Sequence, residues 1–179
     1  PGSGSTLPTT PSTGNTPSFK AIVYTYQLTV NKEDDQGKAL NGATFKLQKY
    51  NAVTSAYEDV KVDASGKIDA TNGNADVVGT STNVFNWIGL DDGKYKLIEV
   101  TAPNGYNKMA DIDFTVTGTH SQTDPLQLSK LETDKPNTFT CKPDGTGAIS
   151  TPDGTITATI ENLPGTTLPE TGGIGTTPF

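Results

Sequence analysis

Apolar side chains recur in this sequence at every second residue, in short runs broken by turn residues, and no stretch sustains a 3.6-residue period. Such a chain is expected to fold as strands whose alternate side chains enter a core. The clearest run is 21–32, AIVYTYQLTVNK, in which Ile22, Tyr24, Tyr26, Leu28, Val30 and Lys32 share one face. Residues 41–50 turn Ala43, Phe45 and Leu47 inward, and 110–117 turn Ile112, Phe114 and Val116 inward. Residues 84–90, VFNWIGL, form a compact apolar strand with Trp87 expected in the core. Residues 95–100 and 155–162 supply two more strands, and 57–63, 138–142 and the surroundings of Val77 supply shorter candidates. Leu126, Leu128 and Leu131 fit either a strand or a short helical turn, and Asp91-Asp92-Gly93 has the form of a hairpin turn. Short strands with turns every ~8–12 residues indicate an all-β sandwich.

The 179 residues allow one domain with tails. Residues 1–19 are Pro, Gly, Ser and Thr with almost no apolar content and are expected to be a flexible linker. Residues 20–164 hold the strands, and 165–179 form a second tail. All 13 basic residues are lysine, and the net charge is −7. No basic patch or guanidinium fork is available for nucleic acid, and the charge is wrong for an anionic membrane. The single cysteine, Cys141, excludes an intrachain disulfide. Cys141 and His120 sit in no nucleophile motif and are expected as a half-buried strand cysteine and a loop histidine. Asp91-Asp92 lacks the alternating oxygen ligands of a calcium loop, and zinc lacks ligands, so no metal or cofactor is expected. No signal peptide or membrane span is recognisable.

Three polar residues stand on apolar faces. Lys32 ends the first strand's face, Glu99 shares a face with Tyr95 and Leu97, and Asn162 follows Ile156, Ala158 and Ile160. Each alone has a bland reading: a lysine that snorkels, a solvated glutamate, an amide at a strand end. Together they match one chemistry. Burial disfavours the charged form of both an amine and a carboxyl group. A neutral lysine is a nucleophile. A carboxyl group that keeps its proton can polarise an amide carbonyl and shuttle protons. Attack of Lys32 Nζ on Asn162 Cγ, with loss of ammonia, gives an amide. Holding the groups together is worth roughly 7–11 kcal/mol of barrier.

The run Val30–Asp34 with Gly37–Leu47 resembles the opening of a Cna B-type domain of Gram-positive pilins and surface adhesins. Tyr95-Lys96-Leu97-Ile98-Glu99 with Ala102-Pro103-Asn104-Gly105-Tyr106 resembles the pilin E-box, and Ile160-Glu161-Asn162 that family's closing strand. The resemblance spans residues 26–163. It implies a prealbumin-like or inverse-immunoglobulin β-sandwich and a Lys32–Asn162 isopeptide bond with Glu99 as catalyst. A protein of this kind is not a multiple-turnover enzyme, because Lys32 is consumed.

Leu168-Pro169-Glu170-Thr171-Gly172 is similar to the sortase sorting motif and follows the last strand on a short spacer. Pro169 favours the extended form that an enzyme cleft requires. The resemblance implies cleavage between Thr171 and Gly172 and transfer of Thr171 to a lysine of a neighbouring pilin or to cell-wall peptidoglycan. The membrane span and basic residues that normally follow are not in 173–179, so the sequence is expected to be a truncated form that also lacks N-terminal domains. The five-residue spacer favours a shaft over a basal subunit, although no pilin-type lysine motif is recognisable. The expected setting is the cell surface, with sortase and other pilins as partners and any host ligand unknown. Alternatives are a stalk domain of a non-pilus wall-anchored adhesin, or a ligand-binding β-sandwich using Trp87 and the tyrosines.

Overall fold

The computed structural model describes residues 25–78, 82–121, 127–146 and 153–165, all in strands, turns or loops without a helix. The strands are β1 (Tyr26–Asp34), β2 (Thr44–Asn51), β3 (Ala56–Asp59), β4 (Asp76–Val78), β5 (Val84–Leu90), β6 (Gly93–Thr101), β7 (Ile112–His120), β8 (Leu128–Thr133), β9 (Phe139–Lys142) and β10 (Gly154–Asn162). One sheet has the order β5-β1-β10-β9. The other runs β3-β2-β6-β7-β8, with β4 also on β2. The first and last described strands, β1 and β10, are parallel neighbours, whereas the other pairs within the sheets are antiparallel.

Alternation builds the core. Along β10 every second residue is buried, from Gly154 through Ile156, Ala158 and Ile160 to Asn162. On β1 the buried set is Tyr26, Leu28, Val30 and Lys32, and on β6 it is Tyr95, Leu97 and Glu99. Phe45 of β2 meets Phe85 of β5 edge-on with ring centroids 4.7 Å apart, and Phe114 of β7 meets Phe139 of β9 at 4.3 Å. Both contacts join the two sheets, and aromatic pairs of this kind add ~0.5–1.5 kcal/mol beyond their burial. Trp87 is fully buried, as a core residue.

Three bulges shift the parity. Between Tyr26 and Gln27 the β5 register skips Gly89, which has φ +107° and supplies the left-handed backbone of a bulge. Phe85, Trp87 and Leu90 therefore all face the core. A second register shift, between Thr119 and His120, leaves Ser129 unmatched on β8, so Leu128 and Leu131 are both buried despite their three-residue spacing. That spacing made the segment ambiguous; its described part is a strand. The third shift sets Phe45 opposite Glu99.

Several sequence expectations need correction. Asp91-Asp92-Gly93 is not a hairpin turn, because β5 and β6 belong to different sheets and the turn carries the chain across. His120 is not in a loop but is the last residue of β7, paired with Leu128. The strand expected at 57–63 ends at Asp59. Ile112 is only half-buried. Residues 21–24 of the first expected strand, Leu126, and both expected tails through 1–19 and 166–179 lie outside the described residues.

Candidate functional site

β1 and β10 run in register with Lys32 opposite Ile160 and Asp34 opposite Asn162. Lys32 and Asn162 therefore share a face, two steps apart on adjacent strands. Glu99 enters from β6 in the facing sheet. Relative exposures of 0%, 0% and 1% for Lys32, Glu99 and Asn162 make these the only buried charged or amide side chains among the described residues.

The polar atoms have few partners. Asn162 Nδ2 donates to Glu99 Oε1 at 2.7 Å, and the backbone N–H of Met109 donates to Glu99 Oε2 at 2.7 Å. Asn162 Oδ1 is buried without a hydrogen-bond partner. The reverse amide orientation would bring Oδ1 against Oε1, a contact that only a protonated carboxyl group satisfies. Lys32 Nζ donates to the carbonyls of Glu33 at 2.9 Å and Ile160 at 3.1 Å. Burial pushes the Lys32 amine below its ordinary value, against the opposing pull of Glu99, Glu161, Asp34 and Glu33. The backbone of Lys32 is held as well. Its N–H donates to Asn83 O at 2.8 Å, and its carbonyl accepts from Leu40 N at 3.0 Å and Asn83 Nδ2 at 3.2 Å. Sequence parity found the three side chains. It could not find Met109, whose contribution is a backbone amide, or Asn83.

The site thus holds an amine depressed towards its nucleophilic form, a carboxyl group and a primary amide, all buried in the core. An unpaired buried charge costs several kcal/mol, and converting the amine and the amide into one secondary amide removes that liability.

The opposite ends of the same strands carry a different polar network. Tyr26 Oη donates to Asp92 Oδ1 at 2.8 Å, and Gly118 N donates to the same oxygen at 2.9 Å. Tyr95 Oη donates to the Asp91 carbonyl at 2.7 Å, and Lys49 pairs with the Asp91 carboxylate. Burial holds the Tyr95 hydroxyl well above the usual phenol range. Asp91 and Asp92 thus serve tyrosines, and no His, Cys, Asp and Glu cluster suited to a metal occurs among the described residues. Cys141 is half-buried on β9 and its thiol is pushed up to about 11, by burial first and then by the charge of Glu132, which makes it a poor nucleophile. Trp87 is sealed in the core and offers no ligand platform. Leu168, Pro169, Glu170, Thr171 and Gly172 lie outside the described residues.

Two packed sheets with parallel first and last strands, and a buried Lys-Glu-Asn set between them, define an all-β, prealbumin-like sandwich of Cna B type. The model of the SpaA prealbumin-like fold domain family matches residues 26–130, more than half of the chain, and the chain belongs to that family. The matched span contains Lys32 and Glu99 and ends before β10 and Asn162. Among solved structures, GBS52, the minor pilin of Streptococcus agalactiae, is similar at 20% identity and a TM-score of 0.50, over 79% of this chain and 45% of that one. A streptococcal ancillary pilin is similar at 18% identity and a TM-score of 0.50, over 81% of this chain and 34% of that one. At these identities the likeness is one of fold, and the chain spans less than half the length of either pilin. A comparison with curated proteins finds no match.

Proposed function

We propose that this chain is a structural and adhesive part of a Gram-positive surface pilus, in which a domain spanning 20–164 locks itself with a Lys32–Asn162 amide. The observation that carries this reading is the joint burial of Lys32, Glu99 and Asn162, with Asn162 hydrogen-bonded to Glu99. In the reaction, neutral Lys32 Nζ attacks Asn162 Cγ while Glu99 polarises the carbonyl. The new C–N bond forms, the Cγ–Nδ2 bond breaks, and a proton delivered through Glu99 lets ammonia leave. The ionisable amine and the primary amide are replaced by one neutral secondary amide. The work is done once per molecule, so Glu99 assists self-crosslinking and not turnover.

Residues 168–172 are the handle for assembly. A sortase cysteine cuts between Thr171 and Gly172, and Thr171 is passed to an amine of a neighbouring pilin or of peptidoglycan, which fixes the protein at the cell surface. The motif and its place after β10 support this reading.

The decisive experiment is the intact mass of the folded protein. It is expected to fall short of the sequence mass by one ammonia, and tandem fragmentation is expected to join the Lys32 and Asn162 peptides. Localisation matters, because cyclisation at Asn41-Gly42, Asn72-Gly73 or Asn104-Gly105 also expels ammonia. A full-mass protein, or a loss confined to an Asn-Gly pair, overturns the crosslink. Glu99→Ala is expected to keep the full mass.

A further inference from the structure

The turn that follows β6 makes two sets of contacts that neither the strand pattern nor the crosslink chemistry requires. Tyr106 N closes the turn on the Pro103 carbonyl at 3.1 Å. The chain then runs antiparallel to the residues just past Asn162. Asn107 N donates to Leu163 O at 2.9 Å, Gly165 N donates to Gly105 O at 2.7 Å, and Tyr106 faces Pro164 as an isolated bridge. Two residues beyond Asn107, the Met109 N–H reaches Glu99 Oε2 at 2.7 Å. One short segment therefore holds both the carboxyl group and the strand end that carries the amide.

We infer that Gly105–Met109 is a positioning clasp for amide formation: its pairing with Leu163–Gly165 holds Asn162 in place, and the Met109 N–H turns Glu99 so that Oε1 carries the proton. This rests on the roles given above to Lys32, Glu99 and Asn162. A carboxyl group has two oxygens that exchange roles by rotation. A fixed N–H at Oε2 favours the carbonyl-type oxygen there and leaves the hydroxyl on Oε1, the oxygen that faces Asn162. With the Asn162 amide in its reverse orientation, Oδ1 meets Oε1, and the proton passes from Oε1 to Oδ1 and polarises Cγ. Lys32 Nζ then attacks, Oε1 relays a proton from that nitrogen to Nδ2, ammonia leaves, and the Oδ1 proton returns to Glu99 as the carbonyl re-forms. The balance is amine plus primary amide to secondary amide plus ammonia, with no redox step. Met109 is a positioning residue, because its backbone acts only through Glu99, and its side chain is dispensable in this role.

The clasp can be tested by following ammonia loss over time in protein pulse-labelled during cell-free synthesis, read by intact mass across a pH series. Met109→Leu keeps the N–H and is expected to match the wild type. Met109→Pro removes it and is expected to form the amide about tenfold more slowly or worse, with an altered pH profile. Gly165→Pro removes the donor to Gly105 O from outside the core, and is expected to slow the reaction while keeping the wild-type pH profile. Folded fractions are measured alongside by circular dichroism. A wild type that never loses ammonia overturns the crosslink itself. A wild type that crosslinks beside a Met109→Pro variant of equal rate and pH profile overturns the clasp. So does a Met109→Pro rate that falls only with its folded fraction. If Met109→Pro does not fold, an unchanged rate in Gly165→Pro overturns the clasp.

Discussion

β1 and β6 each begin and end their buried face with a polar side chain, and the two ends solve the problem differently. At one end stand Tyr26 and Tyr95, at the other Lys32 and Glu99. A tyrosine buries an apolar ring and carries its hydroxyl to the rim, where Asp91 and Asp92 accept it. Nothing there is left unpaired, and nothing there is reactive. Lysine, glutamate and asparagine sit wholly inside, with a depressed amine and an orphan amide oxygen. A polar group at the rim of a core is a hydrogen-bonding problem. The same group sealed inside, beside a complementary one, becomes a chemical problem that the proposed covalent bond would resolve.

The largest test of this contrast is Asn162→Ala, which removes the crosslink acceptor. Losing a covalent link across so long a loop is expected to cost ~5 kcal/mol by the chain-entropy measure used for disulfides, read by denaturant unfolding. The variant also leaves Lys32 as a free buried amine with its folded value below the ordinary 10.5. Between those two values the unfolded chain binds the additional proton, so stability rises with pH through that window. In the crosslinked protein the same nitrogen is an amide and gives no such rise. An Asn162→Ala curve that is flat or falling towards pH 10 would show that Lys32 is not held neutral.

The tyrosine end is expected to respond more mildly and without any change in mass. A Cβ on Gly118 would lie 2.1 Å from Tyr26 Oη, so Gly118→Ala forces the ring to move. The expected cost is ~1–3 kcal/mol, with Tyr26→Phe relieving part of it in the double variant. Additive effects in that cycle would mean that Gly118 and Tyr26 do not constrain each other. Smallest of all is Lys49→Met, which breaks the rim pair with Asp91. It is expected to cost under ~1 kcal/mol, and the difference is expected to shrink at high salt.

Parity alone was enough to put Lys32, Glu99 and Asn162 on core faces, because a strand's side chains alternate whatever sheet it joins. It was not enough to say which strands meet. Asp91-Asp92-Gly93 has the same local chemistry whether the chain folds back within a sheet or crosses to the next one, and only packing decides. The three-residue spacing of Leu128 and Leu131 left strand and helical turn both open, and the bulge at Ser129 is what puts both in the core of a strand. The Gly105–Met109 contacts left no trace in the sequence, since they are made by backbone amides that every residue except proline carries. The Ala102–Tyr106 turn signalled a strand end, and the structure adds that the same turn grips the residues just past Asn162.

The parallel pairing of β1 with β10 also sets a schedule. The centre of one sheet stays vacant between β1 and β9 until the last residues of the domain have been made, because β10 alone fills that slot. Lys32 is therefore synthesised early and its acceptor late, with the rest of the domain between them. Closing so large a span is slow compared with forming hairpins, which places the β1–β10 pairing late in assembly. In a nascent chain Lys32 is a solvated, charged amine, and the arrival of β10 is what buries it beside Asn162, as the proposed bond requires.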